Sequence, residues 1–160
     1  MSGRVKSMGP SLLLLLSAAV LFGAAFTEEG RGASRKLVAV VTGDAPKAIG
    51  PYSQGIVADD FIFLAGQVGL DPKTGALVEG GTAAQADQAM KNLQAVLKAA
   101  NSDFDKVVKT TIFLTDINDF AAVNEVYAKY LKQPYPARST VQVSALPREA
   151  KVEIEMVAMK

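Results

Sequence analysis

The chain has 160 residues, 49% hydrophobic and 21% charged, which is enough for one domain with a sizeable core plus an extension. It contains no cysteine and no histidine, which excludes disulfides, thiolate nucleophiles, Cys/His zinc sites and the Ser-His-Asp and Cys-His hydrolases. The net charge of +1 is uneven: residues 1–36 carry Arg4, Lys6, Arg31, Arg35 and Lys36 against Glu28 and Glu29, so the remainder is slightly acidic and poorly suited to a broad nucleic-acid surface.

A short basic stretch runs to Pro10, followed by an apolar run from Leu12 to Phe22 and small residues at Gly23, Ala24 and Ala25. This three-part layout predicts a cleavable targeting segment cut after Ala25, and the run is short for a membrane span. A retained anchor competes with it. Phe26, Arg31, Ser34, Arg35 and Lys36 fit a second, organelle-directed segment, whereas Glu28 and Glu29 oppose one. The expected destinations are the secretory pathway or an organelle, mitochondrion or plastid, rather than cytosol. Residues 1–36 are thus targeting segment and linker, and residues 37–160 the domain. No stable membrane span is expected in the mature chain.

Leu37 to Val41 is β-branched and apolar and predicts a first strand. Ala45 to Pro51 is a loop that delivers Tyr52 and Gln54. Ile56-Val57 and Phe61 to Ala65 predict a hairpin turned at Asp59-Asp60. It ends at Ala65-Gly66-Gln67, where glycine permits either close approach of a ligand or a bulge. Thr82 to Ala100 is the clearest helix, with Thr82 and Gln85 spaced as a capping box and Ala86, Ala89, Met90, Leu93, Val96 and Leu97 on one stripe.

Val107 to Thr115 predicts a strand, with Val108, Thr110, Ile112 and Leu114 on one face and Lys109, Thr111 and Phe113 on the other. Asp116 or Asn118 can cap a second helix from Asp119 to Leu131, striped by Phe120, Val123, Tyr127, Tyr130 and Leu131. Asn124 lies on the edge of that stripe and needs a polar partner, either backbone or a pocket. Pro134 and Pro136 then hold the chain extended before Arg138, which leads a β-branched run from Ser139 to Val143. In Val152 to Ala158, Glu153 and Glu155 alternate with Val152, Ile154, Met156 and Ala158. Spacing leaves Arg138 two roles: a structural ion pair with Glu153 or Glu155, or a bidentate clamp for a substrate carboxylate.

Several motifs together carry a resemblance: Ile49-Gly50-Pro51-Tyr52-Ser53-Gln54-Gly55, Ala65-Gly66-Gln67, Val108-Lys109-Thr110-Thr111, Asp116-Ile117-Asn118-Asp119-Phe120, Pro136-Ala137-Arg138-Ser139, Leu146-Pro147 and Val152-Glu153-Ile154-Glu155. In this order they resemble the RidA/YjgF family of reactive-intermediate deaminases, over residues 37–160. Element order by itself predicts an α+β layer: a mostly antiparallel sheet with two helices on one face. The resemblance implies the chorismate-mutase-like version of that fold, a homotrimer, and sites between subunits.

The resemblance also implies the chemistry. Small 2-imino or 2-enamino acids, such as 2-iminopropanoate and 2-iminobutanoate, are hydrolysed to 2-keto acids and ammonia, with no metal or organic cofactor. Arg138 would take the substrate carboxylate and Glu153 would hold or deprotonate water. Backbone amides of Gly66 and Thr140 would support the carboxylate, and Tyr52 and Asn124 would wall the pocket. Ala65 stands where family members often carry serine, and Thr140 where cysteine is common. Two other classes stay open: a ribonuclease-type translation inhibitor, which the acidic body and missing histidine disfavour, and a non-catalytic trimer that binds 2-keto acids.

Overall fold

Strand pleating and helical periodicity sort this sequence into alternating buried and open positions, and a computed structural model describes the result for residues 36–160. The predicted leader and its cleavage point lie outside the described residues. In chain order the elements are β1 (Leu37–Val40), β2 (Gly55–Ala58), β3 (Phe61–Val68), α1 (Gly81–Ala99), β4 (Val107–Leu114), α2 (Phe120–Ala128), β5 (Ala137–Gln142) and β6 (Val152–Met159). The strands form one sheet in the order β1-β2-β3-β6-β4-β5. All neighbours are antiparallel except β4 and β5, which run parallel. This is the expected α+β architecture. Strand ends differ by a few residues: β1 stops at Val40, β3 continues to Val68, and β5 starts at Ala137 instead of Ser139.

One sheet face carries the core. Val152, Ile154, Met156 and Ala158 of β6 are buried together with Ile62 and Leu64 of β3 and Ile112 and Leu114 of β4. Met90, Leu93, Val96 and Leu97 of α1 close over them. Each such side chain contributes about 1.5–3 kcal/mol by leaving water. Among the described residues no helix is long and apolar enough to cross a membrane.

Three local expectations are corrected. The capping box does not form: Gly80 is the N-cap in the left-handed region, at φ 104°, with no side-chain cap. Thr82 instead donates its hydroxyl to Asp119 Oδ2 (2.6 Å), and Gln85 Oε1 accepts the Lys151 N–H (2.7 Å). Partners distant in sequence thus take both side chains. In β4 a register shift between Val107 and Lys109 puts Val107 on the core face and leaves Val108 exposed. The second helix starts within a residue of expectation but ends at Ala128 instead of Leu131, and Asp116 accepts from Asn118 N–H to cap a short 3-10 turn over Ile117–Asp119 before α2 begins.

Among the described residues nothing packs on the opposite sheet face. Phe61, Phe63 and Val141 stand there 44%, 49% and 43% exposed. Exposed apolar surface of this kind is available for association. The core itself gives a direct test: Leu93 is fully buried, so Leu93→Ala should cost about 2–5 kcal/mol in urea unfolding, read as a lower midpoint with an unchanged slope.

Candidate active site

The residues singled out from the sequence assemble into two groups. The first surrounds Arg138. This residue lies in register with Thr110 of β4, and Thr110 with Met156 of β6; both partners are buried under the helices. Directly paired residues share a sheet face, so Arg138 points to the helix side. There its Nη1 donates to Asn124 Oδ1 of α2 at 2.8 Å. Its guanidinium carbon sits 4.9 Å from the Tyr127 ring centroid and 5.5 Å from that of Phe120. Such cation–π contacts are worth about 0.5–2 kcal/mol each and fix the plane of the charge. Tyr127 is itself anchored by a 2.8 Å hydrogen bond with Thr110 Oγ1, and burial raises its phenol pKa.

β5 is the outer edge of the sheet, and its free side matters. The Val143 N–H donates to Leu114 O on β4 at 2.8 Å. Backbone groups alternate in direction along a strand, so the N–H groups of Arg138, Thr140 and Gln142 face away from β4. The outward Thr140 amide therefore stands on the same edge as Arg138. The Thr140 hydroxyl is buried and makes no hydrogen bond with a described residue.

The second group surrounds Glu153. Its register partners are Phe113 of β4 and Val68 of β3, and Phe113 in turn pairs with Val141. That row lies on the open face. A β-bulge between Leu64 and Gln67 displaces β3 at Ala65 and Gly66. The Glu153 carboxylate occupies the space this creates, and a Cβ on Gly66 would collide with it. Tyr52, Ala65, Gly66 and Glu153 line one cleft of about 350 Å³ together with Leu70 and Arg148. Glu153 is half-buried, and its pKa is raised by burial and then by the neighbouring Glu155.

α1 fixes both walls of this cleft. Asn92, 1% exposed, donates to Val68 O (3.2 Å) and Leu70 O (2.9 Å), while Gln85 holds Lys151 just before β6. Gly69 lies so close to Gln85 that a Cβ there would sit 2.6 Å from its Cα. The loop bearing Tyr52 is organised by buried Gln54, which accepts from Thr42 N–H (2.8 Å) and donates to Pro46 O (2.8 Å) and Thr42 O (3.1 Å).

The two groups are not one site within a single chain. Arg138, Asn124 and Thr140 are on the helix face and β5 edge, and Tyr52, Ala65, Gly66 and Glu153 are on the other face. Arg138 therefore makes no ion pair with Glu153 or Glu155, although spacing alone allowed one. Among the described residues no cluster of three or more His, Cys, Asp or Glu side chains is arranged to hold a metal.

The family described as Endoribonuclease L-PSP matches residues 42–160. The chain belongs to this family, known also as RidA/YjgF. It is 53% identical over 121 residues to a human protein named 2-iminobutanoate/2-iminopropanoate deaminase, covering 76% of this chain and 88% of that one. It is 52% identical over 125 residues to Arabidopsis thaliana Reactive Intermediate Deaminase A, chloroplastic, covering 78% of this chain and 67% of the relative. Among solved structures, the Yersinia pestis Rid family protein YyfA superposes with a TM-score of 0.76 at 48% identity, over 78% of this chain and all of that one (100%). The family relationship thus covers the domain that holds both residue groups.

Sequence reasoning missed Phe120 and Tyr127 as partners of Arg138; Tyr127 is buried in the core as its stripe implies, whereas Phe120 is exposed. The signal was present, since Phe120, Asn124 and Tyr127 recur at helical spacing on one face. It also missed Arg148, which no pattern distinguishes.

Two predictions follow from the Glu153 cleft. Gly66 is not among the positive-φ glycines, so Gly66→Ala leaves the backbone unstrained but drives the Glu153 carboxylate out of place. Turnover should fall by about a hundredfold with near-native thermal stability, checked by kinetics and a melting curve. Glu153 has a raised folded-state pKa, so the folded chain holds its proton more tightly than the unfolded one. Stability is then intact at low pH and declines as pH rises through the folded pKa. Glu153→Gln should therefore melt higher than wild type at pH 7 and no higher below about pH 4, as calorimetry across pH will show.

Proposed function

We propose that the chain hydrolyses small 2-imino and 2-enamino acids, 2-iminopropanoate and 2-iminobutanoate among them, to 2-keto acids and ammonia. The site forms between copies in a homotrimer, where the Arg138 edge of one protomer meets the Glu153 cleft of its partner. The observation that carries this is the separation of Arg138 and Glu153 onto opposite faces of one sheet. A small substrate cannot bridge that sheet, so both groups can act on one molecule only across an interface. The apolar face beside Glu153, on which no described residue packs, supports association, and closed cyclic symmetry would bury it without open-ended growth.

In this arrangement Arg138 receives the substrate carboxylate by two parallel hydrogen bonds. Asn124, Phe120 and Tyr127 hold the guanidinium plane before the substrate arrives, which lowers the cost of ordering it. The outward Thr140 amide adds a neutral donor, and Ala65 leaves the Glu153 side of the pocket without a hydroxyl. The imine carbon is already electrophilic. Glu153, with its pKa raised, orients water against that carbon, takes a proton on attack and returns one to the departing nitrogen. One water enters, the C–N bond breaks, and ammonia leaves; no cofactor takes part.

The slightly acidic domain and the enclosure of Arg138 by α2 give an RNA backbone no broad basic track, so ribonuclease action is the weaker account. Residues 1–36 are read as a targeting segment cut after Ala25 and a linker to the 37–160 domain, which acts within the secretory pathway, mitochondrion or plastid. The chloroplastic relative supports an organelle. A mature N-terminus at Met1 would overturn this.

The activity test couples the protein to a threonine dehydratase and follows 2-keto acid release. Wild type should accelerate release, and Arg138→Ala and Glu153→Ala should each abolish the acceleration. Coexpression of the two dead variants tests the shared site. A site is whole where an intact Arg138 meets an intact Glu153, so mixed trimers should regain about a quarter of wild-type activity. Full inactivity of the mixture would mean that both groups come from one chain, and 2-keto acid binding without turnover would mean a non-catalytic trimer.

A further inference from the structure

The cleft beside Glu153 carries a second charged group that the imine hydrolysis described above does not use. Its walls are apolar at Ile49, Val68, Leu70 and Pro147, and its charged members are Glu153 and Arg148. Arg148 is exposed and makes no hydrogen bond or ion pair with a described residue. It does not neutralise Glu153.

The backbone that presents Arg148 is unusual. Arg148 and Glu149 stand at φ 62° and 59°, two successive non-glycine residues in the left-handed region. Side chains there crowd the following carbonyl, so L-residues avoid it outside single turn positions. The turn is nevertheless held at its far end. Ala150, 1% exposed, donates its N–H to Pro147 O (3.2 Å), and Lys151 N–H donates to Gln85 of α1 (2.7 Å). Strained backbone fixed by its surroundings clusters at ligand clamps. Arg148 is thus projected at the cleft rim by a turn tied to the core.

We propose that Arg148 receives a second carboxylate, at the end of the substrate's side chain, and so admits four- and five-carbon 2-imino diacids to this site. The inference rests on the deaminase function above and names a further substrate class for it. The cleft, about 350 Å³, falls in the range that accepts ligands much larger than a three-carbon acid. With the 2-carboxylate on a neighbouring protomer's Arg138 edge and the imine carbon at Glu153, the side chain runs along the apolar wall toward the rim. A neutral side chain ends on that wall. One ending in a carboxylate meets the planar guanidinium fork, which suits bidentate pairing. The bond changes are those of the parent reaction: water adds to the imine carbon, the C–N bond breaks, and a 2-keto diacid and ammonia leave. No oxidant or reductant is required.

The test compares 2-iminosuccinate, generated from aspartate by an amino-acid oxidase, with 2-iminobutanoate from a threonine dehydratase. It uses the full chain as wild type, Arg148→Gln and Arg148→Lys, with kcat/KM measured for each. Wild type should accelerate both hydrolyses. The diacid-to-monoacid ratio should fall about tenfold in Arg148→Gln and be only partly restored in Arg148→Lys, which keeps the charge but not the fork. Acceleration of the monoacid imine alone by wild type would overturn the inference and leave the deaminase function standing. So would an unchanged ratio in Arg148→Gln, which would make the turn purely structural. Inactivity of wild type on both substrates would remove the deaminase function and this inference with it.

Discussion

The pleat of the sheet governs how this protein can work. Arg138 stands in a row with Thr110 and Met156 under the helices, and Glu153 in a row with Phe113 and Val141 on the open face. These rows cannot exchange without slipping a strand by one residue, which would move the whole buried set of β6 into water. The separation of the cation from the carboxylate is therefore as firmly set as the hydrophobic core. A chemistry that needs both groups on one small molecule must draw them from different copies.

Each half is built rigidly by a different device. On the helix side, α2 supplies an amide oxygen and two aromatic rings that together fix the Arg138 guanidinium. On the open side, a bulge and a glycine make room for the Glu153 carboxylate, and α1 reaches past the sheet edge to tie both cleft walls. α1 is thus more than a hydrophobic lid. Its polar residues Gln85 and Asn92 are satisfied by backbone groups of the cleft, so the helix that closes the core also shapes the site.

The same physics accounts for where sequence reasoning failed. Thr82 and Gln85 have the spacing of a capping box, but Asp119 and Lys151, distant along the chain, take both side chains. Val108 fits the alternation of β4 until a single bulge passes its place to Val107. Tyr127 is core, as an aromatic residue on an amphipathic stripe usually is, but Phe120 on the same stripe stays exposed. Only the arrival of Arg138 from β5 makes them a cation–π enclosure. Arg148 left no trace at all, since a left-handed turn between non-glycine residues has no local signature.

What the amino-acid sequence determined was local or carried by ordered motifs. Period-two and period-3.6 patterning set the strands, the helices and the buried face, because burial must repeat with the geometry of each element. The ordered motifs named the family and singled out Arg138 and Glu153 as candidates for binding a carboxylate and activating water. Tertiary structure alone decided how those residues are divided between the two faces of the sheet. Which face each one takes depends on register between strands far apart in the chain, and a one-residue shift invisible in composition reverses it.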